Sequence, residues 1–362
     1  MEFRLTERSD IHKYSIVNLQ SSFGDPMSEA ATTMNSPAEK FDVVAFIIRA
    51  ANVGGLALVI LLLSIIIASL APGFLSPFNL FALTRNLAID TVIGFAMMVV
   101  LACGHFNLAV GSIGVSAIMA TGYLLEGLGL PIPVAIAGGL AVGALMGWLN
   151  GMLVVKTGIH SFVITLATAS LFFGLMLILS KAEAFRNLPA AFNALGKKRF
   201  LGPYSSMLFV TGGVTAALLI LYKFSLIGRQ ILACGANPLA AEMSGVPVKR
   251  AIVVAHTLSG LLAGVAGVMV TARLAAALPS VGADWLLPSF LAPLLGGTLL
   301  IGGYVSVIGT LLGAILVTIL QNGLVLLKVG SFWVQFYMGI TLLIAVVLDR
   351  WRSYYAQRIG LT

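Results

Sequence analysis

The residues that could do chemistry in this 362-residue chain do not form a catalytic set. The sequence holds no H-E-x-x-H metal helix and no G-x-S-x-G nucleophile elbow. His105 and Ser112 are close enough in sequence to suggest an intramembrane serine nucleophile with its base, but no further residue supports that interpretation. A G-x-x-x-x-G-K-[ST] phosphate loop is also missing, so any ATP-driven step would need a separate subunit. We therefore predict no catalytic residues, no cofactor and no metal in this chain.

The composition indicates that these residues lie in segments that cross a membrane. Hydrophobic residues make up 59% of the chain and charged residues only 9%, against about 25% charge in soluble domains. So little charge cannot cover a water-facing surface, which excludes soluble, secreted and disordered proteins. The apolar runs are continuous and about 20 residues long, which favours membrane-spanning helices over β-barrel strands.

The sequence predicts an all-α membrane protein with about ten transmembrane helices and both termini in the cytoplasm. Basic residues favour this orientation, with thirteen on the cytoplasmic side and eight outside. The segments at 86–104, which contains Asp90, and 284–302, which contains Pro288 and Pro293, are expected to be broken or partly re-entrant. The predicted spans are 50–71, 86–104, 107–126, 131–155, 160–181, 206–224, 249–272, 284–302, 304–326 and 330–348.

The predicted organisation is one polytopic domain between two polar tails. Residues 1–42 are expected to form a mobile cytoplasmic tail, with Met27 as an alternative start, and 351–362 a second tail. The transmembrane domain covers 43–350 and includes a cytoplasmic loop at 225–250. The two cysteines, Cys103 and Cys234, are expected to remain free thiols.

The chain contains an internal repeat at a shift of 198 residues. This shift places Gly104 on Gly302, Gly111 on Gly309 and Ser112 on Thr310. It also superimposes spans 1–4 on spans 7–10. Corresponding spans of the two copies, such as spans 1 and 7, are six spans apart. Because six is an even number, both copies have the same orientation, and the repeat axis lies along the membrane normal.

Glycines in two spans are spaced for close helix packing. The fourth span carries one every four residues, and Gly260 and Gly264 repeat the spacing in the seventh span. The glycines of the fourth span are Gly139, Gly143, Gly147 and Gly151.

Two segments predict helix breaks, one from Cys103 to Ser112 and one from Gly296 to Thr310. Non-helical backbone at membrane depth must be buried in protein or line a wet cavity. Asn107 is a potential cap for the following helix, and a tight turn between helices is the plainer explanation of both segments. Polar residues inside the spans are few, and they form no proton relay. The candidate residues for a helix break or translocation path are His105, Asn107, Gly111, Ser112, Gly302, Gly309 and Asn322.

The cytoplasmic loop contains a short helix with clear start and stop signals. Asn237 is a good N-cap, Pro238 suits the first helical position, and Gly245 suits the end. Such a helix is either a surface connector or a rigid contact for a partner. Its other candidate residues are Ala240, Ala241 and Glu242.

The outer loop at 182–205 carries the cluster Lys197, Lys198 and Arg199, which is unusual for that side. We interpret this basic cluster as a candidate dock for acidic residues of a partner protein, with phospholipid contact as the plainer alternative.

The loop from Gly228 to Arg250, G-R-x-I-x-A-x-G-x-N-x-x-A-A-x-x-S-G-V-x-V-K-R, resembles the permease subunits of bacterial ABC importers of the ribose/xylose/galactose type. The segments Leu295–Thr298, Gly309–Ala314 and Gln321–Leu324 resemble the C-terminal signature of that family. Leu149–Gly151 and Phe162–Leu166 also match, so the resemblance covers about residues 50–350.

The resemblance implies a second permease subunit, usually in a homodimer, with a cytoplasmic ATPase dimer and a periplasmic solute-binding protein. It implies that Asn237 to Gly245 form the ATPase-coupling helix, and that the protein lies in the bacterial inner membrane. The chain departs from the family at one motif. Where the family usually has G-G-I-D-L-S-V-G-S, this chain has Gly104-His105-Phe106-Asn107-Leu108-Ala109-Val110-Gly111-Ser112. Asn107 replaces the acid of the family, which makes the transfer of its role least secure at this position.

These features predict a transport subunit that moves a small neutral solute, a monosaccharide or polyol, by ATP-driven alternating access. The alternatives are an ion-coupled secondary transporter that acts without an ATPase and an uncoupled channel or scaffold. The absence of intramembrane ion pairs argues against ion coupling. The sequence does not identify the solute.

Overall fold

The computed structural model describes residues 37–200, 202–282 and 284–358. The chain divides between Ala51 and Asn52, and of the first part only 37–51 are described, as helix. The described helices are α1 (Pro37–Leu70), α2 (Pro77–Leu101), α3 (Val110–Gly122), α4 (Ile132–Thr157), α5 (Ser161–Ser180), α6 (Ala190–Lys197), α7 (Met207–Phe224), α8 (Leu226–Ala236), α9 (Pro238–Met243), α10 (Val248–Leu274), α11 (Leu286–Leu295), α12 (Val307–Leu326) and α13 (Ser331–Arg358). A π-helical turn, Tyr123–Gly127, extends α3, and β1 (Arg199–Phe200) pairs antiparallel with β2 (Tyr204–Ser205).

The prediction of an all-α membrane protein is confirmed. Seven described helices are long and apolar enough to cross a membrane: α2, α3 with its π-helical turn, α4, α5, α7, α10 and α12. The apolar parts of α1, α11 and α13 are shorter, at Gly54–Leu70, Leu286–Leu295 and Trp333–Ile344. The count of ten spans and the cytoplasmic position of the termini therefore remain predictions.

The predicted tails fall largely outside the described residues. Residues 1–36 and 359–362 are not described, whereas 37–42 begin α1 and 351–358 end α13.

The core surrounds α2, whose residues from Thr91 to Leu101 are all buried. It contains Phe95, Met97 and Met98, each 0% exposed. An apolar helix that buries every face must be enclosed by other helices rather than lie against lipid. The faces of α4, α5 and α7 instead expose many large apolar side chains, as expected for helices that contact lipid.

The glycines of the fourth span pack directly against α10. A Cβ on Gly143 would lie 2.5 Å from the Gly260 carbonyl oxygen, and a Cβ on Gly147 would collide with the His256 carbonyl oxygen. These distances are closer than any side chain tolerates, so only glycine permits this approach of the two helices. Residue numbers rise along α4 as they fall along α10, which makes the two helices antiparallel. The prediction of glycine-mediated packing is confirmed.

Of the two spans expected to be broken, the one at 284–302 is broken, because its helix ends at Leu295. The expectation is wrong for 86–104, because α2 runs as one helix to Leu101. The described non-helical residues before α11, 275–282 and 284–285, lie along α3, where the Trp285 ring lies over Gly114 and Gly282 contacts Gly111. The helix α11 that follows has only 10 residues and contains Pro293. Ala277 in this segment is fully buried and pairs with Phe185 through two backbone hydrogen bonds. Ala277 and Trp285 of this non-helical segment are therefore packed within the protein, as non-helical backbone at membrane depth requires.

The predicted repeat has a counterpart in the contacts between α2 and the region of α11. A Cβ on Gly94 would lie 2.7 Å from the Cβ of Ala292, and one on Gly302 would lie 2.6 Å from the Gly104 nitrogen. Both pairs are 198 residues apart. Two parallel helices beside a two-fold axis meet at equivalent residues, so these contacts support the repeat. The copies differ in length, since α2 has 25 residues and α11 has 10.

Candidate functional site

The first helix break is the non-helical segment between α2 and α3, residues 102–109. Gly104 has a φ of +73°, which other residues rarely adopt. The backbone N–H of Phe106 donates to Ser161 Oγ at 2.9 Å, and that of Leu108 donates to Thr165 Oγ1 at 3.1 Å. Hydroxyls at the start of α5 thus satisfy donors that the broken helix leaves unpaired.

Asn107 is fully buried and joins the first break to α10. Its Nδ2 donates to Ser259 Oγ at 2.9 Å, and its Oδ1 accepts from the Ala109 N–H at 3.1 Å. The helix begins at Val110 with Ala109 in the N-cap position and no side-chain cap. The expectation that Asn107 caps α3 is therefore wrong in detail, because its oxygen bonds the backbone just before the helix.

His105 lies beside two other histidines. Its ring meets the ring of the buried His256 edge-on, with centroids 5.9 Å apart. Burial, and then the positive field of His160, lower the pKa of His105 to about 4. The imidazole is therefore neutral at physiological pH.

The second break is the non-helical segment between α11 and α12, residues 296–306. Gly297, Gly302 and Gly303 all have positive φ angles, between +80° and +90°. Ser306 ends the break, and its Oγ accepts from the Gly309 N–H at 3.0 Å. Gly309 packs on Gly296 with no room for a side chain, so this candidate residue acts in packing.

The two breaks meet at one point. The Gly303 N–H donates to the Ala102 carbonyl at 3.0 Å, and Gly302 contacts Gly104. The structure therefore brings together the first break and Gly302, which the sequence had related only through the repeat.

The end of α8 packs against the point where the two breaks meet. A Cβ on Gly235 would lie 2.5 Å from the Gly303 nitrogen and would collide with the Ala102 carbonyl oxygen. We call Ala102, Gly104, Gly235, Gly302 and Gly303 the glycine junction. The junction connects the loop at 225–250 to both breaks. The loop and the two breaks therefore lie at the same end of the helical bundle.

The short helix in the predicted cytoplasmic loop is α9. Asn237 caps it, because its Oδ1 accepts from the Ala240 N–H at 3.0 Å. Pro238 is the first residue, and Gly245, with a φ of +79°, follows the end. Ala241 is buried, whereas Leu239 and Met243 are 69% and 83% exposed. Glu242 is also exposed.

Three sequence candidates lie away from the glycine junction. Gly111 packs against Gly282, and the Ser112 carbonyl accepts from Ser116 Oγ one turn later in α3. Asn322 lies near the far end of α12, where it pairs with Asn79 at the start of α2. The structure therefore does not bring Asn322 together with the breaks.

The outer basic cluster is partly engaged within the chain. The Arg199 guanidinium lies over the Phe81 ring, 4.8 Å from its centroid. Lys197 and Lys198 are exposed at the end of α6, and they line a shallow pocket with Asn193.

Three residues of this site were not predicted from the sequence: Ser161, Thr165 and Gly235. Gly303 was predicted only as part of the helix break from Gly296 to Thr310. The two hydroxyl residues lie four positions apart at the start of a span, so they share one helix face. That spacing was a usable signal for contact with a neighbouring segment. Gly235 and Gly303 gave no such signal, because the chain contains 39 glycines.

Comparisons with known proteins place the chain in a family of transport components. A family described as "Branched-chain amino acid transport system / permease component" matches residues 79–346. The chain is 38% identical over 296 residues to the ribose import permease protein of Bacillus subtilis, which covers 81% of this chain and 91% of the relative. It is 31% identical over 294 residues to the ribose import permease protein of Escherichia coli, covering 80% and 91%.

A third relative carries a different sugar in its name. The fructose import permease protein of Rhizobium meliloti is 30% identical over 304 residues, covering 81% of this chain and 84% of the relative. No solved structure matches the chain. The chain therefore belongs to this family of permease components, and it is a multi-pass transport subunit of the bacterial inner membrane rather than an enzyme.

Proposed function

We propose that the chain is the membrane subunit of an ATP-driven importer for a monosaccharide or related polyol. The observation that carries this proposal is the 38% identity to a ribose import permease over 91% of its length. Relatives named for L-arabinose and D-allose support the same class of solute. These names also favour ATP-driven import over an ion-coupled transporter.

A neutral solute suits the candidate spans better than an amino acid, although the family description names branched-chain amino acids. An amino acid would bring two charges into the path, and each would need a partner in a medium of low dielectric. Charged residues away from the ends of the candidate spans are few, with Asp90 in α2 as the main example. Its carboxylate accepts from Thr318 Oγ1 at 3.2 Å. A sugar needs only hydrogen bonds.

The proposed assembly contains two copies of this chain, an ATPase dimer at the end that carries α9, and a solute-binding protein at the other end. The exposed Leu239 and Met243 lie four positions apart, on one face of α9. We assign them as apolar contacts for a groove on the ATPase, beside Glu242. The Asn237 cap and Pro238 keep this short helix formed when it is not bound.

The glycine junction is the proposed route from the ATPase to the spans. A shift of α9 would move α8, to which it is joined at Asn237, and Gly235 in the last turn of α8 packs against both breaks. Because backbone atoms meet here with no side chain between them, a displacement of the α8 backbone would move the two breaks rather than be absorbed by side-chain rearrangement. The breaks would then change the tilt of α3 and α12, as alternating access requires.

The proposed dock for the binding protein consists of Lys197 and Lys198. Arg199 is held over Phe81 and would support the loop rather than reach a partner. Acidic residues on the binding protein would be attracted to the two exposed lysines, so docking should weaken as salt increases. Anionic phospholipid is the competing ligand for the same charges.

The test is reconstitution of this chain with its ATPase and binding protein in liposomes. We expect uptake of labelled ribose or another neutral sugar to require ATP and all three components, with no competition from leucine. The variant Glu242→Arg should abolish uptake while the binding protein still recognises the sugar. Uptake by this chain alone, driven by an ion gradient, would contradict the proposal.

A further inference from the structure

Two fully buried polar side chains lack hydrogen-bond partners within the described part of the chain. His256 and Asn150 are both 0% exposed. Neither ring nitrogen of His256 and neither polar atom of the Asn150 amide has a partner, and Nδ1 of His105 has none either. None of these atoms is used by the proposed mechanism.

His105 and His256 meet where the first break packs on α10, and Asn150 lies on α4 between Gly147 and Gly151, both of which pack on His256. The rings of His105 and His256 are 5.9 Å apart between centroids. Asn150 directly precedes Gly151, where a Cβ would lie 3.1 Å from the His256 Cβ. One turn further along α10, Ser259 holds Asn107 of the break.

Burying these groups without partners would be costly. A neutral imidazole has one donor and one acceptor, and an amide has two donors and an acceptor oxygen. Each buried polar group that is left unpaired destabilises the fold. Several unpaired groups at one point would remove much of the small net stability of a folded protein. Buried groups of this kind are usually satisfied by internal water.

We propose that ordered water molecules occupy a site bounded by His105, Asn150 and His256 and complete their hydrogen bonds. Water is the ligand of the right kind, because the polar groups belong to side chains that are buried within the helix packing and need small partners. It can also donate and accept, as the mixture of imidazole and amide groups requires.

The proposed route of water to the site passes His160. This residue lies exposed at the start of α5, with its ring 6.0 Å from that of Phe106 in the break. His160, His105 and His256 thus run from the surface of the bundle to its interior. Part of the attachment between the break and α10 is then made through water, which lets the break rearrange without losing hydrogen bonds.

Radiolytic hydroxyl-radical labelling tests the proposal, because radicals formed from bound water oxidise neighbouring side chains that bulk solvent does not reach. The full complex would be labelled, and oxidation would be measured residue by residue by mass spectrometry. His160 is the exposed control, and Phe95, which is 0% exposed in apolar surroundings, is the buried control. We expect oxidation of His256 at a rate closer to that of His160, with none at Phe95. Oxidation of His256 as low as that of Phe95 would overturn the proposal.

Replacement of the polar groups gives a second measurement. The variant Asn150→Leu removes the amide groups that would bind water at the site. Labelling of His256 should then fall, while labelling of His160 is unchanged. Labelling with water enriched in ¹⁸O, mixed shortly before exposure, should place ¹⁸O on His256 if the site exchanges with solvent past His160. Unchanged labelling of His256 in Asn150→Leu would contradict the proposed boundary of the site.

Discussion

Asn79 and Asn322 donate to each other, with both Nδ2–Oδ1 distances at 2.9 Å. The pair joins the start of α2 to the end of α12, and Asn79 Nδ2 also donates to the Phe74 carbonyl at 2.8 Å. Asn322 is therefore explained by a contact between helices. Two amides that satisfy each other can lie between apolar helices at little cost, whereas a single one cannot.

The pair should behave as a unit when it is mutated. Asn322→Leu leaves the buried Asn79 with an unpaired oxygen, which should cost about 1–3 kcal/mol of stability. Asn79→Leu together with Asn322→Leu should cost less than the sum of the two single changes. Thermal unfolding of the four proteins in detergent measures this coupling, and strictly additive effects would show that the pair does not form.

Packing between α4 and α10 should be intolerant of one methyl group. Gly147→Ala places a Cβ against the His256 carbonyl oxygen and 2.9 Å from the Gly260 Cα, so the helices must separate. We expect a loss of about 1–3 kcal/mol, seen as a lower unfolding temperature in detergent. The control is Gly174→Ala in α5, where a Cβ meets nothing within 4 Å. Equal stability of the two variants would contradict the observed packing.

The glycine junction should be required for coupling. Gly235→Ala forces α8 away from Ala102 and Gly303, so ATP hydrolysis should continue while uptake per ATP falls. Gly212→Ala in α7, where a Cβ has open space, should leave the ratio unchanged. The ratio is measured in reconstituted liposomes from phosphate release and labelled solute. An unaltered ratio in Gly235→Ala would exclude the junction from coupling.

The two cysteines should resist thiol reagents in the folded protein. Both are free and buried, and burial raises the pKa of the Cys234 thiol. Because the thiolate is the reactive form, its fraction at neutral pH is lowered by this shift. Maleimide should modify neither residue until the protein is unfolded. The control Ser244→Cys, at an exposed position after α9, should react rapidly under the same conditions.

His105 should make the protein less stable in acid. Its pKa is lowered to about 4 by burial and by His160, against a value near 6.5 in an unfolded chain. Between these values the unfolded chain binds a proton that the folded chain does not, so stability is full above pH 6.5 and declines as the pH falls toward 4. The variant His105→Gln should show a smaller decline. Unfolding temperatures measured from pH 7 to pH 4 check this, and identical slopes would contradict it.

Several local features could be predicted from the sequence because they depend on neighbouring residues. Asn237, Pro238 and Gly245 carry all the information needed to start and stop α9, and the structure has the cap as predicted. The glycines of α4 also revealed their role, because a spacing of four residues marks one helix face.

Other features depended on residues far apart in the chain. Gly235 meets Ala102 and Gly303 from a different helix, and no periodicity relates the three. His105 and His256 lie 151 residues apart in the sequence, although their rings are in contact. A contact between distant segments depends on how every helix is placed, which is not encoded at either residue.

Membrane embedding and the helical class followed from composition and from the length of the apolar runs, since lipid leaves the backbone few ways to satisfy its hydrogen bonds. The repeat followed as well, because residues 198 positions apart share their type. The tertiary structure decided which polar groups meet, which of them stay unpaired, and that α8 ends against both helix breaks. Helix packing determines those relationships, because it depends on the shapes of all neighbouring helices at once rather than on any local pattern.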